Sequence, residues 1–180
     1  MLKTSRTKID LLRPQYAQAI AEYYQNNRDH LSPWEPVRAE DYYTLVFWQN
    51  VAEQNVLAFE LEQEFRFVAF HHDDPHQIIG VCNFTGLIRG AFQACLMGYS
   101  LDRQYLNQGY MTEIVRVTTQ YMFEQVGLHR IMSNYMPNNI ASERVLQKLG
   151  FEREGYAKRY LKIAGQWEDH ILTAKIHEIK

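Results

Sequence analysis

Two cysteines, Cys82 and Cys95, are all that the 180 residues carry, and both stand in apolar, strand-like runs. A disulfide framework is excluded, and two buried thiols are the expectation. Long apolar runs are missing too. No stretch approaches the ~18 uncharged apolar residues that a membrane-spanning helix needs. The basic segment from Met1 to Lys8 runs into Asp10 and Arg13 without the apolar core of a signal peptide, so a cytoplasmic location is expected. Excess charge of one sign is also lacking. Nineteen basic against 21 acidic residues give a net charge of -2, which argues against binding nucleic acid by phosphate neutralisation alone. With 9 Gly, 5 Pro and 46% hydrophobic residues the chain is neither low-complexity nor disordered, and one domain over residues 1–180 is expected.

Several catalytic signatures are absent as well. There is no G-x-x-x-x-G-K-[S/T] phosphate loop, no G-x-G-x-x-G, no H-E-x-x-H and no G-x-S-x-G. Gly150 and Gly155 have the phosphate-loop separation, but Tyr156 and Ala157 follow where Lys and Ser or Thr are required. His71, His72 and His76 surround Asp73 and Asp74, yet they straddle a turn with Pro75. A solvated hairpin tip is expected there, and no metal site is assigned.

What is present has a clear order. Ile9 to Arg13 reads as a strand, and Pro14 opens a helix from about Gln15 to Asn26. Polar turns follow from Asn27 to Ser32, then a stiff loop with two prolines, Leu31 to Val37. Helical spacing predicts a second helix from Ala39 to near Gln63. The period then changes to two in Phe65 to Phe70, Ile78 to Leu87 and Ala91 to Leu101, an antiparallel meander. A helix from Met111 to about Val126, a strand from Arg130 to Tyr135 and a helix from Ile140 to Leu149, capped by Asn139 and stopped by Gly150, come next. Tyr156 to Ile163 and Trp167 to Ile176 flank Ala164-Gly165 as a hairpin. The sum is a mixed α/β sheet covered by helices.

The informative stretch runs from Tyr99 to Glu113. A strand ends, a polar loop with Asn107, Gln108 and Gly109 follows, and an amphipathic helix begins at Tyr110, Met111 and Thr112. Free N–H groups at a helix N-terminus suit a phosphate or pyrophosphate, although a simple turn uses the same residues.

This loop resembles the pyrophosphate motif of the GNAT N-acetyltransferases, Q/R-x-x-G-x-G/A. Asn139-Ile140-Ala141-Ser142 ahead of Leu149-Gly150-Phe151 resembles the second motif, N-x-x-S before L-G-F. Leu31 to Val37, Ile78 to Phe84, His129 to Asn139 and Leu149 to Lys158, with Gly165-Gln166-Trp167 and Asp169-His170, resemble the bacterial ribosomal-protein alanine N-acetyltransferases of the RimJ/RimL type, from about Ile9 to Thr173. The resemblance implies a splayed sheet of six or seven strands with helices on both faces, and acetyl-CoA bound where the strand ending at Leu101 parts from the strand starting at Arg130. It also implies that the main chain of Tyr99, Ser100 and Leu101 aligns the acetyl-pantetheine arm, that Asn107 to Thr112 hold the pyrophosphate, and that Asn139 and Ser142 lie along the thiol end.

Departures are equally specific. Leu106, Asn107 and Met111 stand where the pyrophosphate motif has Q/R, a position often Gly, and Gly/Ala; only Gly109 is kept. Contact through backbone N–H groups tolerates this, since Asn at 107 accepts the left-handed region. Leu146 occupies the position of a frequent Tyr acid, and Asn134 stands near that of a frequent Glu base. Ser142 is therefore the candidate acid for the thiolate, with a helix hydroxyl bonded to Asn139 as the alternative. An α-amine near pKa ~8 is roughly a tenth neutral at pH 7, a lysine near ~10.4 less than a thousandth, so weak base assistance suits acetylation of a protein N-terminus beginning with Ala. Trp34 and Glu35 are candidate walls of the acceptor groove, where acidity would suit basic ribosomal segments, or else Trp34 packs on the core. Acetylation of a small amine such as a polyamine or antibiotic, and a CoA-binding interaction module on the ribosome, remain as alternatives.

Overall fold

The computed structural model describes residues 1–178. Eight strands form one sheet in the order β1-β2-β3-β4-β5-β6-β8-β7. They are β1 (Leu2–Lys3), β2 (Thr7–Leu11), β3 (Phe65–His71), β4 (Asp74–Ile88), β5 (Ala94–Leu101), β6 (Arg130–Met132), β7 (Glu152–Ile163) and β8 (Gln166–Ile176). The count exceeds the expected six or seven because β1 is a two-residue edge strand, too short to show any period. Every neighbouring pair is antiparallel except β5 and β6.

Both faces of the sheet are covered, which is why β3 is apolar at almost every position. Phe67 and Ala69 pack toward α4 (Tyr110–Glu124) and α5 (Ile140–Lys148). Val68 and Phe70 pack toward α1 (Ala17–Asn26) and α3 (Leu45–Glu60). Cys82 and Cys95 are buried free thiols, as expected.

Three expectations change in detail. The long helix expected from Ala39 is interrupted: Glu40–Tyr43 is a 3₁₀ turn, and Thr44 leaves helical backbone to cap α3, its side chain accepting from the Phe47 N–H at 3.3 Å. The polar turns after Asn26 contain a one-turn helix, α2 (Arg28–Leu31), tied down by buried Leu31. The expected solvated hairpin holds at exposed Asp73 and His76, whereas His71 turns inward, with Nε2 3.1 Å from the Tyr110 hydroxyl. Among the described residues no helix is long and apolar enough to cross a membrane, and no cluster of three or more His, Cys, Asp or Glu side chains is placed to hold a metal.

The feature that positions the site is a split in the sheet. β5 and β6 pair only through Ala94–Leu96 and Arg130–Met132. The expected strand to Tyr135 stops three residues early. Asn134 Oδ1 accepts from the Thr173 N–H at 3.1 Å, and Tyr135 keeps a single bridge to Ile171, so the chain follows β8 and leaves β5. Among the described residues, β5 from Met97 to Leu101 is paired with β4 on one side and with no strand on the other.

Candidate active site

The strand β5 ends in a fixed exit. Asp102 donates its N–H to the Ile79 carbonyl at 2.8 Å, while its buried carboxylate accepts from Asn27 Nδ2 at 3.0 Å and from the Gln104 N–H at 2.8 Å. Asn27, itself 1% exposed, also accepts from the Arg103 N–H. The Tyr23 and Ser100 hydroxyls lie 2.8 Å apart, tying α1 to the same strand end.

From this anchor the loop Leu106–Gly109 is exposed, and Asn107 and Gly109 take φ of +60° and +85°. Gly109 is the N-cap of α4. Among the described residues no backbone hydrogen bond is donated by the amides from Asn107 to Thr112; the first helical amide with a partner is Glu113, to the Gly109 carbonyl. Tyr110 and Met111 bury their side chains, so only their main chain is available to a ligand. Arg6, which no local pattern singles out, braces the turn. Its guanidinium stacks 4.0 Å over the Tyr110 ring and donates to the Gln108 carbonyl at 2.9 Å and to Glu113 Oε1 at 2.8 Å.

Across the split, Asn139 caps α5 by accepting from the Ser142 N–H at 3.0 Å. The Ser142 hydroxyl then faces the Tyr99 hydroxyl at 2.8 Å. Tyr99 was expected to contribute main chain only, and the reach of its hydroxyl to Ser142 is a contact that the sequence pattern did not reveal. Alternation along β5 places its side chain, but contact with α5 across 43 residues leaves no local trace. Burial pushes the Tyr99 hydroxyl up, which keeps it a proton donor. Leu146, at 1% exposure, belongs to the core. Asn134 is occupied in bonding Thr173 and, through Nδ2, the Tyr160 hydroxyl at 3.3 Å.

On the α1 and α3 side a cleft of about 410 Å³ reaches the edge of β5. Trp34, Glu35, Tyr42, Trp48, Arg66 and Asn83 line it with Gly98, Tyr99 and Ser100. Trp34 is 38% exposed, so it forms wall rather than core. Glu35 pairs with Arg38 Nε at 3.3 Å, and its side chain is only 19% exposed. Burial pushes the Glu35 carboxyl above the usual carboxylate value despite the opposing pull of Arg38. The Glu35 carbonyl accepts from the Ala164 N–H at 2.9 Å, so the tip of the β7–β8 hairpin fixes the loop.

The sequence and the fold both have close counterparts. Residues 6–152 match the acetyltransferase (GNAT) domain. The chain belongs to the GNAT acetyltransferase family. The ribosomal protein uS5-alanine N-acetyltransferase of Escherichia coli (strain K12) is 42% identical over 173 residues, covering 96% of this chain and 89% of that protein. The structure of the ribosomal-protein-S5-alanine acetyltransferase from Vibrio fischeri is similar with a TM-score of 0.95 and 41% identity, over 98% of this chain and 96% of that one. Mycobacterium smegmatis RimJ in complex with CoA-disulfide matches at a TM-score of 0.88 and 27% identity, over 96% of this chain and 82% of that one.

Within the GNAT frame the unusual Met111 has a structural explanation. A Cβ on Gly80 would stand 3.1 Å from Leu101 Cδ1 and 3.3 Å from Met111 Cε. Glycine on β4 thus leaves room for the Met111 side chain of α4 as well as for Leu101 and the Ser100 carbonyl.

Proposed function

We propose that this GNAT enzyme, acting as one domain over residues 1–180 in the cytoplasm, transfers the acetyl group of acetyl-CoA to the N-terminal α-amine of a ribosomal protein beginning with alanine. The observation that carries this reading is the 42% identity, over 96% of this chain, with the Escherichia coli enzyme named for uS5 alanine.

The chain's own groups fit the cosubstrate. The unpartnered amides from Asn107 to Thr112 at the start of α4 suit a pyrophosphate. The free edge of Tyr99, Ser100 and Leu101 suits the amide-bearing pantetheine arm as an added strand does. Bound there, acetyl-CoA supplies an activated acetyl thioester. Tyr99 and Ser142 then hold a proton at the thiol end, where a thiolate leaves, and Trp34 and Glu35 face the incoming amine from the cleft.

Incubating the purified protein with acetyl-CoA and ribosomal proteins, followed by mass spectrometry of the products, tests this directly. Acetyl on an alanine α-amine is the expected result. Acetyl only on lysine side chains, or only on polyamines offered in competition, would overturn the substrate assignment. Absence of heat on titration with acetyl-CoA would reduce the Asn107–Gly109 loop to a turn.

A further inference from the structure

Among the residues lining the 410 Å³ cleft, Glu35 is the one carboxylate. Other carboxylates near the split are committed elsewhere. Asp102 is held by Asn27 and Gln104, and Glu143 accepts from the Tyr135 hydroxyl at 3.2 Å. The amide of Asn134, where many relatives carry a basic glutamate, cannot take up a proton. Glu35 is also rigidly placed: Pro33 and Pro36 flank it, the Ala164 N–H holds its carbonyl, and Arg38 orients its carboxylate. The charged and titratable groups around it are Arg38 on its own loop, Tyr23 and Tyr24 on α1, Tyr42 before α3, and Arg66 on β3, whose guanidinium is taken by Glu64 at 2.6 Å. Burial pushes the three tyrosines up, which keeps them neutral, so the carboxylate base that lines the cleft is Glu35.

We propose that Glu35 is the base that deprotonates the acceptor α-ammonium in the cleft. The proposal rests on the acetyl-transfer reading above. One ammonium proton passes to the Glu35 carboxylate, directly or through one water, and the freed nitrogen forms its C–N bond to the acetyl carbon. As the C–S bond breaks, the sulfur takes a proton from the Tyr99–Ser142 pair, which is replenished by the second proton lost from nitrogen. The products are an amide, a thiol and one proton on Glu35, which returns to solvent.

The test compares wild type, Glu35→Gln, Glu35→Asp and Arg38→Gln across pH 6 to 9.5, on whichever amine the wild type acetylates fastest. Loss of the alanine assignment therefore leaves this comparison intact. Glu35→Gln should lower kcat about 10-fold at pH 7, where only about a tenth of an α-amine of pKa ~8 is neutral unaided, and recover most of it near pH 9, where nearly all of it is. Glu35→Asp should retain part of the activity, and acetyl-CoA affinity by calorimetry should stay within about threefold for all variants, which also reports folding. Arg38→Gln removes the charge that lowers the Glu35 pKa, so the acid limb of kcat/KM should move to higher pH. A Glu35→Gln enzyme with near-normal kcat at pH 7 overturns the proposal. So does a loss confined to KM for the acceptor and equal at every pH, which marks Glu35 as a binding group, and so does an acid limb that Arg38→Gln leaves in place.

Discussion

The half proposed for the cofactor presents main-chain groups from one contiguous stretch, Tyr99 to Thr112, supported by buried side chains behind it. The half proposed for the acceptor presents side chains drawn from the Trp34–Glu35 loop, Tyr42, Trp48 on α3, Arg66 on β3 and Asn83 on β4, and its loop is pinned by the tip of a hairpin more than a hundred residues away. A main-chain cradle tolerates side-chain change as long as its φ and ψ values survive, so Leu106, Asn107 and Met111 can depart from the usual motif without dismantling it. A side-chain cleft has no such tolerance. Its chemistry is the chemistry of the particular groups that reach it.

Between the halves stands the Tyr99–Ser142 pair, and its removal should have the largest effect. Ser142→Ala or Tyr99→Phe is expected to lower kcat about 10²-fold with acetyl-CoA affinity little changed. Because the hydroxyls lie 2.8 Å apart and act on one proton, the double variant should lose far less than the product of the two single losses. Steady-state kinetics reads both quantities, and near-normal turnover in either single variant would leave its hydroxyl as a structural contact.

Backbone geometry is the target of the next prediction. Gly109→Val forces a β-branched residue to φ +85° and points its Cβ toward the Arg6 guanidinium, 3.5 Å away. At a cost of about 1–3 kcal/mol for that conformation, acetyl-CoA should bind at least ~5-fold more weakly in calorimetry. An unchanged Kd in the folded variant would remove the cofactor from this loop and erase the contrast between the halves.

Trp34→Ala sharpens the contrast from the other side. Losing the exposed cleft wall should raise KM for an Ala-initiated peptide several-fold, on the order of 1 kcal/mol for an aromatic contact, while acetyl-CoA affinity stays constant. A matching loss of acetyl-CoA affinity would join the two halves into one site. The smallest effect belongs to Leu106→Gln, which restores the usual first residue of the pyrophosphate motif. On an exposed loop whose ligand contacts are main-chain, the Kd for acetyl-CoA should change by no more than about twofold, within ~0.5 kcal/mol. A large gain would show that the motif's side chain matters after all.

Much of the architecture was legible along the chain. The switch of period from 3.6 to 2 near Phe65, the cap at Asn139, the stop at Gly150 and the Ala164-Gly165 turn are short-range signals, and each appears where its residues place it. Thr44 could have been read as the start of α3, since Ser and Thr at an N-cap carry a local mechanism, but the aromatic spacing through Tyr42 hid the break. Arg6 against Glu113 had no such signal. The pair spans 107 residues, and an arginine in a basic N-terminal segment looks like any solvated charge.

Sequence by itself determined most of the elements, the turn that opens α4 and the residue types available for acid-base work, because caps, turns and periodicity are set by neighbours a few residues apart. Tertiary structure decided where the sheet splits, that the Tyr99 hydroxyl meets Ser142, and that Glu35 faces a cleft ending at the free edge of β5. Those outcomes depend on strands and helices packing across dozens of residues. A side chain's role there follows from what the fold brings opposite it, which no local pattern encodes.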